Sequence, residues 1–142
     1  MTPQEKIRRA KPAKQVRLDY DFGGLKKGSL MFVGTPLIID AYIRAIAFGD
    51  TDTIPAMRNR LARRRGCDGT CPASTAIFVR TVAEAAVAEM AAGADESEVA
   101  PFWRIVEPDS KIAGKLDLPP TWIADRREAE REMIQASPST QA

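Results

Sequence analysis

The chain has 142 residues, a formal net charge of +2, 44% apolar and 28% charged residues, which excludes general disorder and fits one domain with a sizeable core. It contains no histidine, so catalysis by a Ser-His, Cys-His or His-metal arrangement is excluded. No apolar run approaches the roughly 18–20 residues of a membrane span, and the N-terminus lacks the apolar centre of a secretory signal, so we expect a cytoplasmic protein without a membrane partner.

The first 34 residues are predicted to form a basic arm followed by a short hairpin or an irregular segment. Residues 1–14 are polar and basic without an apolar period, a pattern that predicts a mobile arm. Residues 15–33 alternate briefly, break at Gly23-Gly24 and end in an apolar run, which favours the hairpin or the irregular segment.

Three helices are predicted next, over 35–49, 53–66 and 71–93 with their capping residues. Thr35-Pro36 has the form of an N-cap followed by proline at the first helical position. Apolar residues recur at helical spacing in the second helix, and a glycine follows it as a stop. The third helix is rich in small residues and carries an apolar inner side.

After the third helix, residues 102–106 have strand-forming side chains and 107–110 have turn-forming ones, which predicts a short strand or hairpin. A charged helix opens at 119–121, and 136–142 is predicted to be a disordered tail. Three helices followed by a hairpin is the layout of a winged helix-turn-helix, whose third helix enters a DNA groove. We therefore predict one mainly α domain over 35–135 with a small β wing.

Several stretches resemble the DNA-binding domain of alkylguanine-DNA alkyltransferases and of the alkyltransferase-like proteins. They are "TPLIIDAYIRAIAFGDTDTI", "LARRRG", "CPASTAIFV" and "APFWRIVEPDS". The matching features are Thr35-Pro36, Gly49-Asp50-Thr51, Gly66 and the segment 101–106, in order and in approximate spacing, so the resemblance covers about residues 35–110. It implies a winged helix-like fold, and double-stranded DNA as the partner.

The resemblance also implies that the reactive chemistry of the family has been lost. Phe102 stands where the family has its acceptor cysteine, and Trp103 where it has the activating histidine. A phenyl ring cannot accept an alkyl group, because covalent catalysis needs an activated nucleophile beside a base. Two further departures are Ile54, near the position of the family's phosphate-turning tyrosine, and Ala76, near that of its gap-filling arginine.

The function implied is that of a non-catalytic, alkyltransferase-like DNA-binding protein, without cofactor or metal, that recognises alkylated guanine and flags it for other DNA repair proteins. An extruded base would then meet a pocket wall, formed by Ile54, Pro101, Phe102, Trp103 and Arg104. Small residues at the start of the third helix allow close approach to DNA, and basic side chains of the second helix supply phosphate contacts. The expected DNA-binding residues are Arg58, Arg60, Arg63, Arg64, Arg65, Ala73, Ser74, Thr75 and Ala76.

Plainer interpretations stay open for the same residues. The arginines between 58 and 65 fit a solvated helix face with cations near its C-terminus, and Phe102 and Trp103 fit a hydrophobic core. Cys67 and Cys71 fit free thiols, a redox-sensing pair, or an acceptor that replaces the lost one. At the level of the whole domain, the alternative is a scaffold that binds a protein or a small ligand without binding DNA.

Overall fold

The computed structural model describes residues 1–136. Of the predicted tail, 137–142 lies outside these residues, and Ala136 is the C-cap of the last helix. The described part contains α1 (Pro3–Arg8), β1 (Lys14–Arg17), β2 (Leu30–Val33), α2 (Pro36–Arg44), α3 (Ile54–Arg64), β3 (Gly69–Thr70), α4 (Pro72–Ala91), 3₁₀ turns at Glu96–Glu98 and Phe102–Arg104, α5 (Lys111–Lys115) and α6 (Trp122–Gln135). The prediction of a mainly helical domain is confirmed. Among the helices of residues 1–136, none has the length and apolar character to cross a membrane.

Two threonines start α2 and α3, as the sequence predicts. The hydroxyl of Thr35 accepts a hydrogen bond from the amide of Ile38, and that of Thr53 from the amide of Ala56, both at 3.2 Å. These bonds satisfy amides that the first helical turn leaves free. After α3, Gly66 adopts a φ of 66°, a left-handed conformation typical of a glycine that ends a helix.

The apolar run that opens at α2 extends beyond the helix itself. α2 ends at Arg44, five residues before the predicted end at Gly49. The chain then turns, with the amide of Asp50 donating to the carbonyl of Ala47, 3.0 Å, while Ile46 still packs against the core. Apolar composition therefore reports burial across this run, and the helix ends where the turn begins.

The small sheet has the order β1-β2-β3, with an antiparallel and a parallel pair. Its register pairs Lys14 with Val33 and Arg17 with Leu30 in the antiparallel ladder, and Met31 with Gly69 and Phe32 with Thr70 in the parallel one. Of the two structures considered for residues 15–33, the hairpin is confirmed. β3 leads directly into α4, where the amide of Cys71 donates to the carbonyl of Phe32, 3.1 Å, so the sheet fixes the start of α4.

The predicted mobile arm is wrong for residues 3–8, which form α1. The Thr2 hydroxyl accepts from the amide of Glu5, 3.2 Å, and caps the helix in the same way as the later threonines. The side-chain amide of Gln4 donates to the carbonyl of Ala85 in α4, 3.3 Å, and Ile7 packs against the core. This polar segment is attached through one apolar residue and one long-range hydrogen bond. A single apolar residue does not produce a helical period in the sequence, so the pattern did not predict α1.

The short strand or hairpin predicted at 102–106 is also wrong, because Phe102–Arg104 is a 3₁₀ turn rather than a strand. The turn satisfies its own backbone: the amide of Arg104 donates to the carbonyl of Pro101, 3.0 Å, and that of Val106 to the carbonyl of Phe102, 2.9 Å. The large side chains of this segment are strand formers and also core formers. Here these side chains belong to the hydrophobic core, and the sheet is formed by strands that precede this segment in the chain.

α4 is the central helix of the domain. It contacts α1, α2, α3 and the second 3₁₀ turn, and its buried residues lie on several sides. They are Thr75, Val79, Thr81, Val82, Ala83, Ala85 and Ala86. Its outer face stays open, and Ile77 is 61% exposed there.

Candidate functional site

The aromatic pair that the resemblance places at the reactive position lies in the core. Phe102 is 0% and Trp103 1% exposed. The ring of Phe102 stacks on Trp122, with centroids 5.7 Å apart, and meets Trp103 edge to face at 5.4 Å. Pro101 is buried and Ile54 half-buried. The rings therefore do not form the predicted wall of an open pocket, and the core interpretation describes them.

A carboxylate that the sequence did not single out holds this segment in place. The indole Nε1 of Trp103 donates to Oε2 of Glu130, 2.7 Å. Arg104 donates to both oxygens of the same carboxylate, Nε to Oε1 at 2.9 Å and Nη2 to Oε2 at 3.0 Å. The Gly49 amide adds a bond to Oε1, 3.1 Å, and Arg104 Nη1 donates to the carbonyl of Ile46, 2.8 Å. This network joins α6, the 3₁₀ turn and the loop after α2.

The pKa of Glu130 is lowered by the balance of these interactions. Burial alone raises the pKa of this carboxyl, but the hydrogen bonds from Arg104, Trp103 and the Gly49 amide together outweigh burial. Glu130 is one of several acidic residues along a charged helix, so no spacing in the sequence distinguished it from its solvated neighbours. The network is structural, and it leaves Arg104 without a free face toward a ligand.

Two of the arginines expected to bind phosphate instead attach α3 to the sheet. Arg58 donates to Thr70, from Nε to the hydroxyl at 3.0 Å and from Nη2 to the carbonyl at 3.3 Å. The guanidinium of Arg65 lies over the ring of Phe32, 4.9 Å from its centroid. Both interactions give these cations a structural role within the domain.

The remaining arginines of α3 divide between a polar cluster and solvent. Arg60 donates from Nη1 to Asp52 and to the hydroxyl of Tyr42, each at 2.8 Å. Arg64 lies over the Tyr42 ring, 5.5 Å from its centroid. Arg63 is exposed and, within residues 1–136, its side chain has no hydrogen bond or ion pair. The predicted arginines thus do not form one free basic surface, and a purely solvated face does not describe them either.

The cluster of Tyr42, Asp52 and Arg60 lines an open cavity of about 730 Å³ in the described part of the chain. The Tyr42 hydroxyl donates to Oδ2 of Asp52, 2.5 Å. Burial raises the pKa of Tyr42 above its ordinary value, and the hydrogen bond with Asp52 raises it further, while Arg60 acts in the opposite direction. The sequence did not indicate this cluster, because its members belong to α2, the following loop and α3.

We expect this raised pKa to make the fold alkali-sensitive. The unfolded chain ionises its tyrosines near the ordinary value of 10.0, whereas folded Tyr42 stays neutral to higher pH. Stability from Tyr42 is therefore fully present below that value and is lost as pH rises through the folded pKa. Urea unfolding across alkaline pH should show a shallower loss for Tyr42→Phe, and the wild-type slope for Tyr20→Phe, whose ring is 65% exposed. Equal slopes in both variants would contradict the assignment.

The start of α4 presents small side chains, of which only some face outward. Ala73 is exposed, Ser74 and Ala76 are half-buried, and Thr75 is buried. The Thr75 hydroxyl donates to the carbonyl of the N-cap residue, 2.8 Å, so it faces the helix rather than a partner. Ile77, one turn after Ala73 on the same face, is a large exposed side chain that the sequence interpretation missed. Exposure of an apolar residue cannot be read from a helix that is apolar on most sides.

The two cysteines are buried free thiols that are not bonded to each other. Burial raises the pKa of the Cys67 thiol, which makes it a weaker nucleophile at neutral pH. Cys71 is the N-cap of α4, and its sulfur accepts a hydrogen bond from the hydroxyl of Ser74, 3.2 Å. Because both thiols are buried, neither is well placed to act as a replacement alkyl acceptor. Both side chains instead pack in the apolar interior.

No protein-family model matches the chain, and no curated protein or solved structure matches it significantly. The structure itself defines the class of domain: mainly helical, with a small three-stranded mixed sheet.

Proposed function

We propose that the protein is a non-catalytic DNA-binding protein of the alkyltransferase-like kind, which contacts duplex DNA with the first turns of α4. The observation that carries the proposal is the outer face of these turns, where Ala73 is exposed and Ile77 is 61% exposed. The other large apolar side chains of α4 are buried or half-buried. A small and an apolar exposed residue on the same helix face fit the close approach of a helix to a nucleic-acid groove.

The arrangement around α4 supports the same function. α3 and α4 are joined by a short connection through β3 and pack on each other, as two consecutive helices of a helix-turn-helix do. No side chain in the described part of the chain caps the amides at the start of α4, and free amides at a helix N-terminus favour phosphate. The first acidic residue of α4 is Glu84, which pairs with Arg80 at 3.4 Å. The earlier turns therefore carry no charge that would repel DNA.

The burial of Phe102 and Trp103 removes a base-binding pocket at these rings from the proposed function. A base extruded from the duplex would not reach these rings, because both are enclosed by the core. The loss of the family's acceptor and activating residues removes alkyl transfer from the proposal. We propose duplex DNA as the partner. Preference for alkylated guanine, recruitment of repair proteins and a cytoplasmic location are further elements of the proposed function, and each needs its own test.

Replacing Ile77 with glutamate is expected to weaken duplex binding at least about tenfold, because it brings a carboxylate against the phosphate backbone. The matched control is Met133→Glu on α6, since Met133 is 62% exposed and lies on another helix. Fluorescence anisotropy at low salt should be measured with a plain duplex and with one containing an alkylated guanine. Wild-type affinity no higher than that of a neutral control protein would exclude DNA binding, and equal affinities for the two duplexes would exclude lesion preference.

A second candidate is the scaffold that binds a small ligand without binding DNA. The open cavity beside α3 favours it, because Arg60 and Arg64 line the cavity together with Tyr42 and Asp52. Asp50 lines the cavity as well, and such mixed polar groups around a cavity of this size suit a small polar metabolite. Thermal stabilisation by such a metabolite, in a protein that fails the anisotropy test, would favour this candidate over the first.

A further inference from the structure

A groove lies between the N-terminal segment, residues 1–14, and the outer side of α4. It encloses about 410 Å³. Its apolar lining includes Val33, Pro36, Ile77 and Phe78, and its cationic lining consists of Lys6, Arg9, Lys11 and Lys14. Among residues 1–136, no acidic residue belongs to the lining. Four cations without a counter-charge in one groove create a local positive potential, although the net charge of the chain is small.

The cationic side chains differ from most of the arginines of α3 in being free to bind a partner. All four are exposed. Within residues 1–136, none of them has a side-chain hydrogen bond or ion pair. Arg58 and Arg60, in contrast, are held by Thr70 and Asp52. A phosphate that met the N-terminal cations would not have to displace an existing partner.

An ordered backbone positions these cations. Lys6 is part of α1, which is attached to α4 through the hydrogen bond from Gln4 to Ala85, 3.3 Å. Lys14 begins β1, where it pairs with Val33. Arg9 and Lys11 lie between these two fixed elements. Binding therefore costs little backbone entropy compared with binding by a mobile tail.

The groove and the outer face of α4 belong to one surface, since Ile77 lines the groove and shares its helix face with Ala73. We propose that Lys6, Arg9, Lys11 and Lys14 bind the phosphate backbone of a DNA duplex that is contacted by the first turns of α4. The inference rests on the proposed function and adds to it the source of the phosphate contacts. It assigns them to the N-terminal segment rather than to the arginines of α3.

Salt dependence tests this assignment directly. Each phosphate contact contributes about −0.9 to the slope of log Kobs against log salt for duplex DNA. The double variant Lys11→Gln/Lys14→Gln of the full chain should therefore have a slope shallower by about 2 than that of wild type. Adding Lys6→Gln and Arg9→Gln should make it shallower by about 4 in total. The matched control is Lys111→Gln/Lys115→Gln on α5, which removes two exposed lysines and should leave the slope unchanged.

The outcomes separate this inference from the proposed function. Wild type that does not bind the duplex at any salt concentration rejects both. Wild type that binds, together with a quadruple variant that keeps the wild-type slope and the wild-type circular dichroism, rejects the inference alone. A third outcome is thermal stabilisation by decanoate, lost in the quadruple variant, with no change in the DNA slope. That result would assign the groove to an amphipathic organic anion and would also overturn the inference.

Discussion

Replacing Glu130 with alanine is expected to lower the free energy of unfolding by about 3–5 kcal/mol, the usual result of removing one partner of a buried charged pair. The carboxylate accepts four hydrogen bonds, from Trp103, from two nitrogens of Arg104 and from the amide of Gly49. Without it, the indole N–H and the guanidinium stay in a site from which water is largely excluded, since the side chain of Arg104 is 12% exposed. The loss is the cost of these unpaired groups.

Chemical unfolding of Glu130→Ala should be compared with Glu132→Ala, which removes an exposed carboxylate from the same helix. We expect the control to stay within about 0.5 kcal/mol of wild type. Because the folded pKa of Glu130 is lowered from 4.5, its stabilising effect is present above that value and is lost as pH falls through the folded pKa. Glu130→Gln should abolish this acid-dependent part. Equal stability of the Glu130 and Glu132 variants at neutral pH would contradict the network.

The elements that the sequence predicted correctly are those determined by local chemistry. Thr35 and Thr53 cap helices because a hydroxyl three residues before a free amide is a short-range arrangement. Gly66 ends a helix because its backbone tolerates positive φ. Such signals depend on a few neighbouring residues, so a single sequence carries them.

The elements that it missed depend on contacts between distant segments. β3 has two residues and exists because β2 lies beside it. Glu130 becomes important only where α6 meets the turn at Phe102–Arg104, and the residues joined there are 26 or more positions apart. The segment 102–106 was predicted as a strand because large apolar side chains serve strands and cores equally. Tertiary packing decides between these two uses. It also gives several of the arginines that were predicted to bind DNA contacts within the domain.

Truncating Phe102 to alanine is expected to cost about 3–5 kcal/mol, because it opens a cavity in a fully buried site. The ring is 0% exposed and lies between Trp103 and Trp122, so the two indoles would lose an aromatic neighbour without gaining water. The matched control is Phe22→Ala, since Phe22 is 39% exposed, and we expect it to change stability by less than about 1 kcal/mol. Urea unfolding followed by circular dichroism measures both.

The same variant separates two roles for the aromatic pair. If Phe102 is core, Phe102→Ala loses stability, and the fraction that remains folded keeps the duplex affinity that the proposed function assigns to wild type, because the proposed contact lies on the outer face of α4 and not at this ring. If Phe102 is instead the wall of a ligand site, the variant loses affinity while its stability changes by less than about 1 kcal/mol, as expected for a partly open site. Binding must therefore be measured well below the melting temperature of the variant, where the folded population is known. The burial of the ring, which is 0% exposed, predicts the first result.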